Sequence, residues 1–132
     1  MSYIDCYLAP VPRTNRAAYE SLAQLSAQVV KEYGAMRVVE SWLDHSGPDA
    51  SSYHGETTRE RTTQYGSFIA AVGANADETV VLSWIEWPDK ATRDIGMAKL
   101  TSDPRMQFTD MDPVFDGSRL IAAGFLPILI ES

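Results

Sequence analysis

Apolar and polar residues alternate at the start of the chain, and this pattern predicts a β-strand. One face of the strand is apolar and consists of Ile4, Cys6 and Leu8. The opposite face carries a carboxylate between two phenols and consists of Tyr3, Asp5 and Tyr7. We expect the strand to end at Pro10 and Pro12, because proline has no N–H to donate to a sheet.

Apolar residues then recur at spacings of three and four, which predicts a helix with one buried stripe. The stripe consists of Ala18, Leu22, Leu25, Val29 and Tyr33. Thr14 or Asn15 can cap the start of this helix, and Gly34 can end it. A second strand is predicted from Met36 to about Leu43.

The middle of the chain is polar. From Ser46 to Gln64 only Ala50 and Tyr53 are apolar, and glycine, proline, serine and threonine occur throughout. This composition predicts a polar loop or a mobile excursion over residues 46–64. We expect a strand to resume over Tyr65 to Val72.

The second half of the chain has the clearest pattern. Thr79 to Trp87 is rich in β-branched and aromatic residues and predicts a strand. Asp89 can cap a following helix from Lys90 to about Leu100. Three apolar residues are expected on the buried side of that helix: Ala91, Ile95 and Ala98. A last strand is predicted from Arg119 to about Ile130.

The order β, α, β, β, α, β predicts an α+β fold of the ferredoxin-like, split βαβ type. Such a fold has one four-stranded antiparallel sheet with both helices on one face, and here it would form a single domain over residues 1–132. Its other face has no helices and should carry aromatic and apolar side chains, which usually mark an interface. We therefore expect two copies to close face to face into a homodimeric α/β barrel.

Charge and composition exclude several classes of protein. The net charge of −7 argues against a nucleic-acid surface, which requires a basic patch, and against an anionic membrane surface. No apolar run reaches the roughly 18 to 20 residues that a membrane-spanning helix requires. The start of the chain does not resemble a signal peptide, and the single Cys6 cannot form an intrachain disulfide. These features favour a cytoplasmic protein.

Five segments carry a resemblance: SYIDCYLAPVP, YGAMRVVES, ETVVLSWIEWPDKATRD, SDPRM and FDGSRLIAAGF. They resemble the YbaA-like family of uncharacterised bacterial proteins, within the dimeric α/β-barrel superfamily. The similarity covers Ser2 to about Ile130, and Ser46 to Gln64 departs from it. The resemblance implies the ferredoxin-like fold and the dimer. It implies no single activity, because the superfamily includes monooxygenases, haem-degrading enzymes, cyclases, isomerases and proteins with no known reaction.

Two carboxylates and one histidine are candidates for proton transfer. Asp5 and Glu40 fall on predicted strands, where a carboxylate in an apolar cavity could act as a general acid or base. A structural role is the alternative, since Arg119 opens the strand predicted to pair with the first and could bind Asp5 across the ladder, or Arg37 could provide a salt bridge. His45 lies where a strand meets a loop, and its ordinary pKa is near neutrality.

Aromatic residues on the strands are candidates for ligand binding. Tyr3, Tyr7, Trp42 and Trp84 could line a pocket for a flat ligand, although packing and dimer contact are the alternative roles. Trp84 and Trp87 fall on opposite faces of one strand, so both cannot line the same cavity. We expect no metal, because the two adjacent donors of the segment His54-Gly55-Glu56 fall short of the three or four that a zinc site requires. We also expect no cofactor, and the chain has neither a phosphate-binding loop nor a dinucleotide-binding fingerprint.

These features support three hypotheses. In the first, a homodimeric α/β-barrel protein of unknown function binds a small apolar or aromatic molecule between sheet and helices. In the second, the protein is a cofactor-independent monooxygenase, cyclase or isomerase in which Asp5, Glu40 or His45 is the base and Arg119 or a tyrosine stabilises an enolate. In the third, the polar loop binds a macromolecule.

Overall fold

A computed structural model describes residues 1–61, 64–108 and 111–132. The strands are β1 (Tyr3–Pro12), β2 (Arg37–Trp42), β3 (Glu78–Trp87) and β4 (Ile121–Phe125). The α-helices are α1 (Arg16–Glu32), α2 (Glu56–Arg61), α3 (Phe68–Val72) and α4 (Lys90–Ser102). The strands form one antiparallel four-stranded sheet in the order β2-β3-β1-β4. This is the predicted α+β, ferredoxin-like arrangement.

The first strand ends at Pro12, one of the two prolines predicted to end it, but it also includes Pro10. Both prolines stay in register with β3, whereas pairing with β4 ends at Leu8. The amide of Arg13 donates to the carbonyl of Asp77. In an antiparallel ladder alternate residues bond to the same neighbour, so the backbone N–H and C=O groups of the odd-numbered residues of β1 point towards β3. The proline nitrogens therefore lie on the edge where β4 no longer pairs, and the missing N–H groups leave no ladder bond unmade.

The sequence pattern predicted a strand from residue 65 to residue 72, and this prediction was wrong. The segment contains the short helix α3 instead. The Ser67 hydroxyl accepts a hydrogen bond from the amide of Ala70 at 3.0 Å and caps its start. Gly73, with φ of 64°, ends it in the left-handed conformation. A five-residue apolar run fits a strand or a helix equally, and these two caps decide between them.

The polar segment from residue 46 to residue 64 is not loop throughout. Its described part contains a 3₁₀ turn at Ala50–Tyr53 and the helix α2, while residues 62 and 63 of the predicted loop lie outside the described residues. The last strand is also shorter than predicted: it begins at Ile121, because Gly117–Arg119 form a 3₁₀ turn, and it ends at Phe125.

The main core lies between the sheet and the helices α1 and α4. One cluster joins Ala9 and Val11 of β1 to Tyr19 of α1, and another joins Trp87 of β3 to Val30 of α1. We call this face of the sheet the helix-facing side; it carries the odd-numbered residues of β1 and β3. The prediction for α1 was displaced, since Tyr19, Val29 and Val30 are its buried residues.

The buried side of α4 differs from the prediction. Ile95 is 59% exposed, and Ala91 and Ala98 are exposed as well. Gly96 is buried instead, and a Cβ built on it would lie 2.7 Å from the ring of Trp87. A glycine at this position therefore lets the helix approach the indole, and it turns Met97 inward to the core.

The other side of the sheet, which we call the outer face, is only partly open. At one end Val72 of α3 packs with Leu8 and Val80, so the prediction of a face without helices was wrong there. The rest is apolar and accessible: Ile121 is 46% exposed and Phe125 is 54% exposed. Across the described residues, no helix has the length and apolarity to cross a membrane.

Candidate functional site

A pocket of about 320 Å³ lies between the helix-facing side of the sheet and the two long helices. The strands β1, β2 and β3 form its floor, and α1 and α4 form its walls. Met106, Phe108, Phe115 and Leu120, from the connection to β4, complete the lining. We call this cavity the sheet–helix pocket.

Glu40 of β2 lies on the floor of this pocket. The hydroxyl of Tyr19 is 3.0 Å from each oxygen of its carboxylate and donates to it. Glu40 is accessible to solvent through the pocket, yet the surrounding protein removes enough water to raise the pKa of its carboxyl. Hydrogen bonds from Tyr19 and Ser83 oppose this rise without cancelling it.

Two tyrosine hydroxyls share the pocket with Glu40. Burial, followed by the negative charge of Asp5, raises the pKa of Tyr7 to about 12. Burial also raises the pKa of Tyr19, and the carboxylate of Glu40 raises it further. Both phenols are therefore neutral near pH 7 and can donate or accept hydrogen bonds in the pocket.

The remaining lining is mostly apolar. Among the described residues that line the pocket, Glu40 is the only aspartate, glutamate, lysine, arginine or histidine. The walls include Leu22 and Val30 of α1 and Leu100 of α4. A small apolar molecule can thus be enclosed while one acidic group and two phenols orient it.

Asp5, the other predicted carboxylate, does not line the pocket. It is 2% exposed and is held by Arg93, whose Nε lies 3.0 Å from Oδ2 and 3.1 Å from Oδ1. The indole Nε1 of Trp87 also donates to Oδ2 at 3.0 Å. The predicted contact with Arg119 was wrong, because that residue lies in the turn before β4 and pairs with Glu78 at 2.6 Å.

The predicted base His45 lies away from the sheet–helix pocket. It is exposed, and its Nε2 is 2.9 Å from the hydroxyl of Thr79. It lines a separate groove of about 770 Å³ on the outer face, together with Tyr53 and Phe68. The structure therefore does not bring the four predicted catalytic residues together in one site: Asp5, Glu40, His45 and Arg119.

Of the four predicted ligand-binding aromatics, only Tyr7 lines the sheet–helix pocket. Trp42 does not line it and packs against the ring of Tyr19, with ring centroids 5.3 Å apart. Tyr3 packs in the Trp87 cluster. Trp84 lies on the outer face, where its Nε1 donates to Glu86, so it cannot contact a ligand in this pocket.

The two residues whose hydroxyl groups hydrogen-bond to Glu40, Tyr19 and Ser83, were not predicted as site residues. A signal for Tyr19 was present, because Tyr19, Ala23, Ser26 and Val30 recur at helical spacing and all line the pocket. Ser83 is a buried polar residue of β3 and faces the same side as Ile85.

No metal site is formed by the part of the chain that the structure describes, since no group of three or more histidine, cysteine, aspartate or glutamate side chains comes together there. Among the described residues that line the sheet–helix pocket, the oxygen donors are the carboxylate of Glu40 and hydroxyl groups. That set is too small for a zinc site, which uses three or four protein ligands.

Comparison with known proteins places the chain in a family. Residues 2–117 match the family described as protein of unknown function, DUF1428. The chain belongs to this family. It is 39% identical over 131 residues to the uncharacterized protein YbaA of Escherichia coli strain K12, covering 99% of this chain and 100% of that protein. The uncharacterized protein YbaA of Shigella flexneri shows the same identity and coverage.

The fold also matches a solved structure. A dimeric ferredoxin-like protein from an uncultured marine organism superposes with a TM-score of 0.57 and covers 98% of both chains. The two sequences are 10% identical, so this similarity concerns the fold. The family and the ferredoxin-like fold implied by the sequence are thereby confirmed.

Proposed function

We propose that this protein binds a small, largely apolar molecule, such as an aromatic ring compound, in the sheet–helix pocket. The observation that carries the proposal is a pocket of about 320 Å³ with a mainly apolar lining, in which Glu40 is the one carboxylate among the residues that the structure describes. Ligand sites in proteins typically combine an apolar cavity with a few convergent polar groups. Of the three bases considered from the sequence, Glu40 alone lies in this pocket.

A pocket-filling substitution tests the proposal. Ala27 of α1 lines the pocket, so Ala27→Phe should occupy part of its volume. Ala18 lies on the same helix but is exposed, and Ala18→Phe is the matched control. A set of aromatic fragments would be screened by saturation-transfer NMR. We expect fragments to bind the wild type and Ala18→Phe and to be lost from Ala27→Phe. Binding that Ala27→Phe leaves unchanged, or no binding at all, would contradict the proposal.

We also propose that the protein is a homodimer joined through the outer face. Support comes from the exposed Ile121 and Phe125 and from the segment after β4, in which Leu126 is 64% exposed, Ile128 102% and Leu129 75%. Contiguous exposed apolar surface of this kind usually marks an interface. The structurally similar marine protein is itself described as dimeric. A lone free Cys6 is consistent with the reducing cytoplasm, which we propose as the location.

Light scattering coupled to gel filtration tests the dimer. Phe125→Asp would place a charge in the proposed interface, and we expect it to yield monomers. Ile95→Asp is the control, because Ile95 is exposed to a similar degree on the outer surface of α4. Monomeric wild-type protein, or equal dissociation by both substitutions, would refute this interface.

A further inference from the structure

We infer that the ligand of the sheet–helix pocket carries a protonated amine or a similar cationic nitrogen that binds Glu40, and that the pocket rejects carboxylates. This inference rests on the function proposed above and narrows it to a chemical class. It follows from the hydrogen bonding of Glu40, from the charges around the pocket and from the neutral character of the other polar groups.

Glu40 has acceptor capacity that the described residues leave unused. An ionised carboxylate can accept about four hydrogen bonds. The Tyr19 hydroxyl carries a single proton and is 3.0 Å from both oxygens, and Ser83 provides one further hydroxyl nearby. Because Glu40 lines the pocket, a ligand with N–H donors can take up the remaining sites.

No positive side chain neutralises Glu40 within the described lining of the pocket. Two arginines of α1 and α4 have other partners: Arg93 pairs with Asp5, and the guanidinium of Arg16 lies 5.0 Å from the centroid of the Trp42 ring. A cationic ligand would therefore supply the missing countercharge. A carboxylate ligand would instead meet a like charge in apolar surroundings, where electrostatic interactions are stronger than in water.

The groups that face Glu40 fix the direction of its pH dependence. Tyr19 faces it from α1, Tyr7 from β1 and Ser83 from β3, while α4 contributes Met97 and Leu100, which do not titrate. Both tyrosines remain neutral below pH 9, because their pKa values are raised. Glu40 is thus the group whose protonation would remove the preference for a cation as the pH falls.

Three probes that share one ring system can test the charge preference directly: 1-naphthylmethylamine, 1-naphthylmethanol and 1-naphthoate. Calorimetric titration at pH 8 should show the amine binding at least about tenfold more tightly than the alcohol, because only the amine brings a countercharge to Glu40, and opposite charges attract more strongly in a partly buried site than in water. The carboxylate should bind at least about tenfold more weakly than the alcohol. Equal affinities for the three probes would overturn the inference.

Glu40→Gln keeps the size of the side chain and removes its charge. We expect it to bring the ratio of amine to alcohol affinity close to one, whereas Glu60→Gln, which removes an exposed carboxylate on α2, should leave that ratio unchanged. A preference that persists in folded Glu40→Gln would contradict the inference. In the wild type the ratio of amine to alcohol affinity should also fall towards one on acidification to pH 4, and a constant ratio would contradict it.

The same titrations separate this inference from the function on which it rests. Binding of the alcohol that Ala27→Phe abolishes would support the pocket as a ligand site, whatever the charge preference. If the wild type bound none of the three probes, or bound them equally well with Ala27→Phe, the proposed function itself would fail.

Discussion

The stability of variants at Asp5 tests the structure most directly, because from the sequence alone this residue could be either catalytic or structural. The structure places its carboxylate in the core, 2% exposed, with two kinds of donor: the guanidinium of Arg93 and the indole of Trp87. Arg93 itself is 31% exposed and can be hydrated on its outer side. Removing the arginine would therefore leave a buried negative charge with one neutral donor.

The structure gives an expected magnitude for each change. Breaking a buried ion pair by removing one partner destabilises a protein by about 3–5 kcal/mol, so we expect a loss of that size for Arg93→Met. Asp5→Asn should cost less, about 1–3 kcal/mol, because its amide oxygen can still accept from Trp87 and Arg93 can turn towards solvent. The double variant should be more stable than Arg93→Met alone, since no buried charge remains.

Urea unfolding at pH 7, followed by circular dichroism, would measure the four free energies of this double-mutant cycle. Lys90→Met is the control, because Lys90 lies on the same helix, is 65% exposed and makes an ion pair only one turn away, with Asp94. Its stability should be close to that of the wild type. If Arg93→Met were no more destabilising than Lys90→Met, or if Asp5→Asn failed to rescue it, the buried ion pair would be refuted.

Three further outcomes follow from the core and the pocket. Gly96→Ala should destabilise the fold by about 1–2 kcal/mol in urea unfolding despite the higher helix propensity of alanine, because its Cβ would lie 2.7 Å from the ring of Trp87; a stabilised variant would contradict this packing. Because the pKa of Glu40 is raised in the folded protein, its protonated form contributes stability that is present below about pH 4 and is lost as the pH rises through that pKa. The free energy of unfolding of Glu40→Gln should therefore increase relative to that of the wild type between pH 4 and pH 8. Parallel pH profiles of the two free energies would argue against the shift. In an alkaline titration at 295 nm, Tyr7 should ionise near pH 12, and Tyr7→Phe should remove part of that late absorbance change; an unchanged late step would show that Tyr7 ionises earlier.

The fold could be predicted well from the sequence where local pattern and tertiary structure agree. β3 has β-branched and aromatic residues throughout, and Asp89 caps α4 by accepting from the amide of Thr92 at 2.7 Å. The predictions were wrong where contacts between distant segments determine the structure. β1 includes both Pro10 and Pro12 because its pairing with β4 ends at Leu8, and this end of the pairing cannot be seen in the order of apolar and polar residues.

The candidate site was harder to predict, because it depends on how the helices lie across the sheet. The sequence indicated that Asp5 and Glu40 are on strands. It did not indicate which of them pairs with an arginine and which lines a pocket. The inward face of α4 was also misjudged, since Ile95 is a better apolar residue than Gly96 in any linear pattern. Gly96 is buried because of the large ring of Trp87 opposite it, which is a tertiary constraint.

Asp5 and Glu40 share the helix-facing side of one sheet, and they differ in what the helix above each of them provides. Above Asp5, α4 supplies Arg93, whose guanidinium pairs with the buried carboxylate. Above Glu40, α1 supplies only the neutral hydroxyl of Tyr19, and the carboxylate remains accessible through the pocket. The charge of the first is satisfied by the protein itself, which makes it structural. The charge of the second still lacks a counterion within the described lining, and a ligand is the natural source of one.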